Sequence, residues 1–180
     1  MKKVVIFIAD SSGNSILTKL IMPTLKLLYS KNGWKVTIAN PYENGLDISE
    51  SSNSSIKIIE RAYKHYVKES KHVHFMFDSN LGGVNPMIEA IFGHVFIEGF
   101  AYKQNIKESY FKNKRVFFYI LNTKKSLINL PSIRIRFSDI PKLFKSYKIF
   151  NVNHNWLKIS NKNKNISKIR NYLIKSIKNE

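Results

Sequence analysis

Two hydrophobic periods take turns along this chain, and the switches between them mark its elements. Residues 4–9 form an unbroken apolar run with β-branched and aromatic members. That is the pattern of a strand buried on both faces of a parallel sheet. The polar stretch Asp10-Ser11-Ser12-Gly13-Asn14-Ser15 follows it. Apolar positions then recur at Ile16, Leu17, Leu20, Ile21, Leu25, Leu27 and Leu28, a broad helical stripe. Lys31-Asn32-Gly33 stops that helix, with Gly33 suited to a left-handed cap. Residues 34–39 alternate and read as a second strand, and residues 40–55, with Pro41 and Gly45, as a surface loop. Ser54 or Ser55 caps a helix whose apolar face is Ile56, Ile59, Ala62, Tyr63, Tyr66 and Val67. Residues 72–77 are the third strand.

The alternation continues to the end of the chain. Asn85 followed by Pro86 is a helix start, and that helix carries Met87, Ile88, Ala90, Ile91 and Phe92 before breaking at Gly93. Residues 115–121 are a fourth, centrally buried strand. Residues 127–137 are irregular around Pro131, and Ser138 begins a short helix through Lys145. Residues 147–152 are the fifth strand and residues 161–165 a polar turn. Residues 166–177 close as a helix with Ile166, Ile169, Tyr172, Leu173 and Ile177 facing inward. Alternating strands and helices imply right-handed crossovers and a doubly wound α/β sheet. No repeat or second domain interrupts residues 1–180.

A strand that feeds a Ser/Gly/Asn loop into a helix gathers backbone N–H groups and hydroxyls at one spot, where the helix dipole favours an anion. A single cap would satisfy the helix; Ser11, Ser12, Gly13, Asn14 and Ser15 exceed that need. The third strand also ends in a polar loop, Asp78-Ser79-Asn80-Leu81-Gly82-Gly83. In open α/β sheets ligands bind beyond the carboxyl ends of the strands where the winding reverses. With the first strand central, the two loops flank that crevice, and together they point to a phosphate-bearing ligand.

Composition changes this picture in a few places. Cysteine is absent, which excludes disulfides, thiolate metal sites and Cys nucleophiles. The first apolar run is too short for a signal peptide, no stretch reaches membrane-span length, and the reading is a cytoplasmic protein without membrane insertion. His65, His72, His74, His94 and His154 form no helical metal pair, and no Gly-Lys-Ser/Thr, Rossmann glycine pattern or Gly-x-Ser-x-Gly elbow is present. Arg134, Arg136 and Phe137 make a basic-aromatic patch without the signature of an RNA-binding fold. The net charge of +18 comes almost wholly from lysines spread along every element. Spread of that kind gives a solvated surface rather than a nucleic-acid footprint.

Residues 77–102 resemble the flavodoxin-like NAD(P)H quinone oxidoreductases. In that family the third strand ends in a Pro-x-x-Trp-aromatic-Gly/Ser-x-Pro loop, followed by a helix ending near an Asp-Arg pair and then by Gly-Phe-Ala-Tyr. Val84-Asn85-Pro86 and Gly99-Phe100-Ala101-Tyr102 fall on the pattern without gaps. The opening loop is similar to the Thr/Ser-Gly-Asn-Thr phosphate loop of flavodoxins. The resemblance implies a three-layer flavodoxin-like sandwich with a five-stranded parallel sheet in the order 2-1-3-4-5. It implies FMN, or FAD, as cofactor, NAD(P)H as co-substrate, and hydride transfer through the flavin to a quinone-type small-molecule acceptor. Ser11, Ser12, Gly13, Asn14 and Ser15 would hold the phosphate. Ser79, Asn80, Leu81, Gly82 and Gly83, with Asn122 and Thr123, would border the isoalloxazine, and Phe100 and Tyr102 would line the acceptor pocket. A homodimer is implied, and no protein acid, base or metal is demanded.

The chain also departs from the family. Asp78 stands where the family has proline, Leu81 where it has tryptophan, and Gly93-His94 where it has Asp-Arg. Asn122-Thr123-Lys124-Lys125 replaces Thr-Thr-Gly-Gly. These replacements favour an alternative: a flavodoxin-like binding or regulatory subunit without redox turnover. The scattered charge generates a first prediction. Binding to mixed-sequence DNA, measured against salt, is expected to be weak at physiological ionic strength. Tight binding there with a steep log–log salt slope would contradict it.

Overall fold

A strand apolar on both faces over residues 4–9 must be covered from both sides, and the arrangement of the remaining elements follows. The computed structural model describes residues 1–10, 13–44, 54–79, 85–95, 111, 113–122, 146–153 and 159–180. Its strands are β1 (Lys3–Ala9), β2 (Lys35–Ala39), β3 (His72–Ser79), β4 (Arg115–Asn122) and β5 (Ser146–Asn153). They form one five-stranded sheet in the order β2-β1-β3-β4-β5, and every pair is parallel. This is the flavodoxin-like order that the resemblance implies. The helices are α1 (Met22–Lys31), α2 (Ser54–Glu69), α3 (Pro86–Val95) and α4 (Ile159–Lys178).

The alternation of side chains along β1 divides the core in two. Val5, Phe7 and Ala9 pack with Tyr63 and Val67 of α2 and with Met87, Ile88 and Ile91 of α3. Val4, Ile6 and Ile8 pack on the other face with Leu25 and Leu28 of α1 and Ile169 and Leu173 of α4. Leu27 belongs to neither cluster and is 56% exposed, so the apolar stripe of the first helix is narrower than the sequence pattern suggests. A π-helical turn, Leu17–Ile21, leads into α1. Pro23 has no N–H to donate, so a change of hydrogen-bond register costs least at this point.

Two expected breaks are absent. Residues 161–165 are not a turn but lie inside α4. Asn and Lys are tolerated in a helix when no Gly or Pro intervenes, and tertiary docking of the apolar face decides such a segment. Gly93 does not end α3, which runs on to Val95; one interior glycine costs only about 1 kcal/mol. The expected irregular stretch at 127–137 and helix at 138–145 lie outside the described residues. Gly33 does end α1, with φ +74°. Trp34 N–H reaches Tyr29 O at 3.1 Å and Gly33 N–H reaches Ser30 O at 3.1 Å, the Schellman pattern. Its hydrophobic contact is Trp34 on Tyr29, with ring centroids 5.3 Å apart.

That cap seals a buried polar cluster toward the amino ends of the strands. Tyr29 Oη lies 2.7 Å from His72 Nδ1 and 2.9 Å from His74 Nε2, and all three residues are fully buried. One phenolic proton can be donated to only one imidazole, so the other imidazole must donate to the phenol oxygen. His72 Nε2 faces Glu180 Oε1 at 4.0 Å, and Arg115 Nε lies 2.8 Å from the same carboxylate oxygen. His74 is stacked between Phe117 and Tyr119. Burial, and then the neighbouring His72, hold its pKa well below the ordinary histidine value. Lys114 is also buried; its Nζ donates to Lys68 O at 2.9 Å and Ser70 O at 2.6 Å, closing the end of α2. Burial brings its pKa down to about 8.

Because His74 is neutral when folded and titrates normally when unfolded, its contribution to stability is present above about pH 6.5 and lost as the pH falls. Urea unfolding at pH 7 and pH 5.5 is expected to show a loss of about 1 kcal/mol from this group. His74→Phe, which suits the aromatic stack, is expected to flatten the dependence. Identical pH profiles for the two proteins would show that His74 is not its source.

Candidate functional site

The carboxyl ends of β1, β3 and β4 meet at one edge of the sheet. Ala9 pairs with Phe77, Phe77 with Ile120, and Ser79 with Asn122. Since β2 and β3 lie on opposite sides of β1, the winding reverses there, the place where open α/β sheets bind ligands beyond the strands' carboxyl ends. Among the described residues, no group of three or more His, Asp or Glu is placed to hold a metal ion. No helix among them is long and apolar enough to cross a membrane.

The first loop is organised by Asp10, which the sequence reading takes as the first residue of the polar loop. Asp10 is 8% exposed. Asp10 Oδ2 accepts the Ser15 N–H at 3.0 Å and the Thr18 hydroxyl at 2.5 Å. Gly13 N–H donates to Asp10 O at 3.3 Å, and Gly13 adopts φ +61°, a conformation that L residues with a Cβ rarely take. Ser15 Oγ accepts the Leu17 N–H at 3.2 Å, and Ser15 O accepts the Lys19 N–H at 2.9 Å. The helix start is therefore capped twice, by Ser15 and by a carboxylate.

Asp78 and Ser79, expected in the loop, instead continue β3, paired with Leu121 and Asn122 of β4. Ser79 is buried, and its hydroxyl donates to Leu121 O at 3.3 Å, a bond to the neighbouring strand. Asp78 Oδ1 accepts Asn85 Nδ2 at 2.6 Å. Asn85 Oδ1 accepts the Met87 N–H at 2.9 Å, the helix cap expected from Asn-Pro, and the Tyr42 hydroxyl at 3.3 Å. One amide thus joins the segment after β2, the end of β3 and the start of α3. Nearby, Tyr63 donates its hydroxyl to Asn44 Oδ1 at 3.0 Å, tying the same segment to α2.

Of the residues proposed for the site, Gly13, Asn14, Ser15, Ser79 and Asn122 lie at this carboxyl edge. Gly13 and Asn14 are exposed, and Ser15 is half-buried. Ser11, Ser12, Asn80, Leu81, Gly82, Gly83, Thr123, Phe100 and Tyr102 lie outside the described residues. Pattern reading placed Asp10 and Asp78 at the two loops and Asn85 as a cap, but not the bonds that join Asp10 to Thr18 or Asp78 to Asn85. A signal was present: with only 12 acidic residues against 30 basic ones, an aspartate opening each of two facing loops is unusual enough to matter.

Asn85→Ala removes a cap and leaves Asp78 without that donor. The expected cost is about 1–3 kcal/mol in urea unfolding. Asn85→Asp, which restores the cap acceptor but sets a like charge beside Asp78, is expected to remain destabilised. Full recovery by the aspartate would show that only the cap matters.

No family model matches the chain, and no curated protein matches it either. Solved structures do match over nearly the whole length. An FMN-dependent NADH-azoreductase from Bacillus anthracis, in complex with FMN, superposes with a TM-score of 0.73 at 9% identity, covering 98% of this chain and 100% of that one. An NAD(P)H:quinone oxidoreductase from Methanothermobacter marburgensis gives 0.66 at 13% identity, with 94% and 92% covered. An NADPH-quinone reductase from P. pentosaceus gives 0.65 at 10% identity, with 96% and 97% covered. Strand order, parallel pairing and these superpositions together establish a flavodoxin-like α/β fold, whose structural neighbours are NAD(P)H quinone reductases and FMN azoreductases.

Proposed function

We propose that this chain is a flavin-dependent NAD(P)H oxidoreductase of the quinone-reductase type, with FMN or FAD as the flavin and a quinone-type acceptor. The observation that carries this reading is the reversal of winding between β1 and β3, the place where open α/β sheets bind ligands, in a fold whose neighbours include an azoreductase holding FMN. Hydride chemistry of this kind belongs to the flavin, so the chain is asked for binding and orientation rather than for an acid or base. Ser11, Ser12, Gly13, Asn14 and Ser15 are the proposed phosphate residues. Ser79, Asn80, Leu81, Gly82, Gly83, Asn122 and Thr123 border the ring in this reading, and Phe100 and Tyr102 line the acceptor pocket. A second copy of the chain completes the site in a homodimer.

The described residues do not offer the flavin phosphate an open anion site. The Ser15 N–H and the Thr18 hydroxyl already serve the Asp10 carboxylate, and like charges at one helix end oppose each other. Leu81 in place of an aromatic residue also forgoes ring stacking, worth about 0.5–1.5 kcal/mol or up to about tenfold in affinity. Flavin is therefore expected to be weak and exchangeable. The Asp10 carboxylate favours one second reading, the flavodoxin-like binding or regulatory subunit that does not turn over substrate.

Steady-state assays with NADH or NADPH, a soluble quinone and added FMN separate the two readings. Protein-dependent turnover is expected when FMN is in excess and is expected to fade on dilution of the flavin. Background turnover while FMN fluorescence shows the site occupied would reject the enzyme and leave the regulatory subunit.

A further inference from the structure

The fold collects charge that the sequence spreads out. Where parallel strands are joined by helices, the chain returns to the amino ends of the strands after every helix, so strand starts and helix ends share one edge. Lys35 N–H donates to Lys2 O at 2.9 Å, Lys71 N–H to Lys3 O at 2.9 Å and Arg115 N–H to Lys71 O at 3.0 Å. These backbone bonds set Lys35, Lys2, Lys3 and Lys71 in one row across the starts of β2, β1 and β3, with neighbouring strands about 4.8 Å apart. The last turns of α1, α2 and α4 reach the same edge and bring Lys31, Lys68, Lys175 and Lys178. Apart from half-buried Lys3, all of these lysines are exposed. Among the described residues two carboxylates share the edge. Glu69 is paired with Lys3 at 2.8 Å, and the buried side chain of Glu180 lies 2.8 Å from Arg115. The opposite edge carries Asp10, Asp78 and Glu89, the last in the first turn of α3.

Structural needs account for part of this charge. One cation offsets each helix end, where the dipole leaves about half a negative charge. The strand row has no such use: Lys3 and Lys35 are register partners, and like charges directly opposite each other destabilise a sheet. We propose that this amino edge is a docking surface for the anionic headgroups of a lipid bilayer, on which the protein lies without inserting. The lysines belong to the sheet and to helices on both of its faces, so they cover an area rather than a line. A bilayer presents its charge over a plane, whereas a nucleic-acid strand presents it along a backbone. Proteins that track such a strand also rely on arginine forks and interleaved aromatic rings. Here the exposed cations are lysines, and the guanidinium of Arg115 is engaged with Glu180 and Ser176. Each ammonium group near an anionic leaflet is worth about fivefold in binding, and the attraction fades within a Debye length. Docked in this way, the carboxyl edge with the candidate site faces away from the membrane. The proposal does not depend on the flavin reading.

Co-sedimentation of the full chain with vesicles tests this. One set of vesicles is phosphatidylcholine alone, and the other is equal parts phosphatidylcholine and phosphatidylserine. The wild type is expected to bind the second set and not the first, and to be released by added salt. An edge variant, Lys2→Gln with Lys35→Gln and Lys71→Gln, is expected to bind about a hundredfold more weakly, about fivefold for each lysine. A second variant of the same edge, Lys31→Gln with Lys175→Gln and Lys178→Gln, is expected to lose a similar amount and decides the matter should the first fold poorly. The control, Lys19→Gln with Lys57→Gln and Lys164→Gln, removes the same net charge from exposed positions toward the starts of the helical segments. It is expected to stay within about fivefold of the wild type. Mixed-sequence DNA at the same salt is the last arm. Failure of the wild type to bind the phosphatidylserine vesicles overturns the proposal. An equal loss in edge variant and control also overturns it, because binding would then follow net charge rather than this edge. Tighter binding to DNA than to the vesicles overturns it in favour of a nucleic acid.

Discussion

Strand β1 has neighbours on both edges and apolar side chains on both faces, and the remaining architecture is the set of ways to satisfy it. Its register with β2 and β3 puts two strands on opposite sides, so the connections must leave on opposite faces of the sheet. Helices α1 and α4 then cover Val4, Ile6 and Ile8, while α2 and α3 cover Val5, Phe7 and Ala9. The same double demand opens the crevice at the carboxyl end, because chains that depart in opposite directions leave a gap between them. Core and candidate site share one cause.

What was legible in the sequence was the part governed by burial. Apolar runs, helical stripes and the Asn85-Pro86 and Gly33 punctuation each depend on a few neighbouring residues, and they gave strand order and both helix ends correctly once joined to the family pattern. Less legible was everything decided by a partner far along the chain. Asp10 looks like a loop residue until Thr18 is folded back onto it, and Asn85 looks like a cap until Asp78 and Tyr42 arrive. His72 and His74 read as ordinary strand residues, since nothing local reveals that Tyr29 stands over both. The misread turn at 161–165 has the opposite origin: Asn and Lys leave local preference undecided, and docking of Ile169 and Leu173 on the sheet settles it.

Charge acts on two scales in this molecule. At long range, scattered lysines make the whole chain attractive to anions. At the carboxyl edge of the sheet, Asp10 follows β1 and already takes the donors at the start of the first helix. Net charge alone therefore says little about what such a protein binds.

The all-parallel sheet also shapes how the chain reaches this structure. No two neighbouring strands can be joined by a hairpin, and Val4 finds its partner His72 only after β2 and α2 have been made. The most apolar strand thus leaves the ribosome well before the partner that completes its burial. Long-range pairing of this kind makes folding slow and leaves hydrophobic strand edges exposed in the interval. A lysine-rich surface that keeps partly folded chains apart by mutual repulsion is then of use during synthesis, whatever it later attracts.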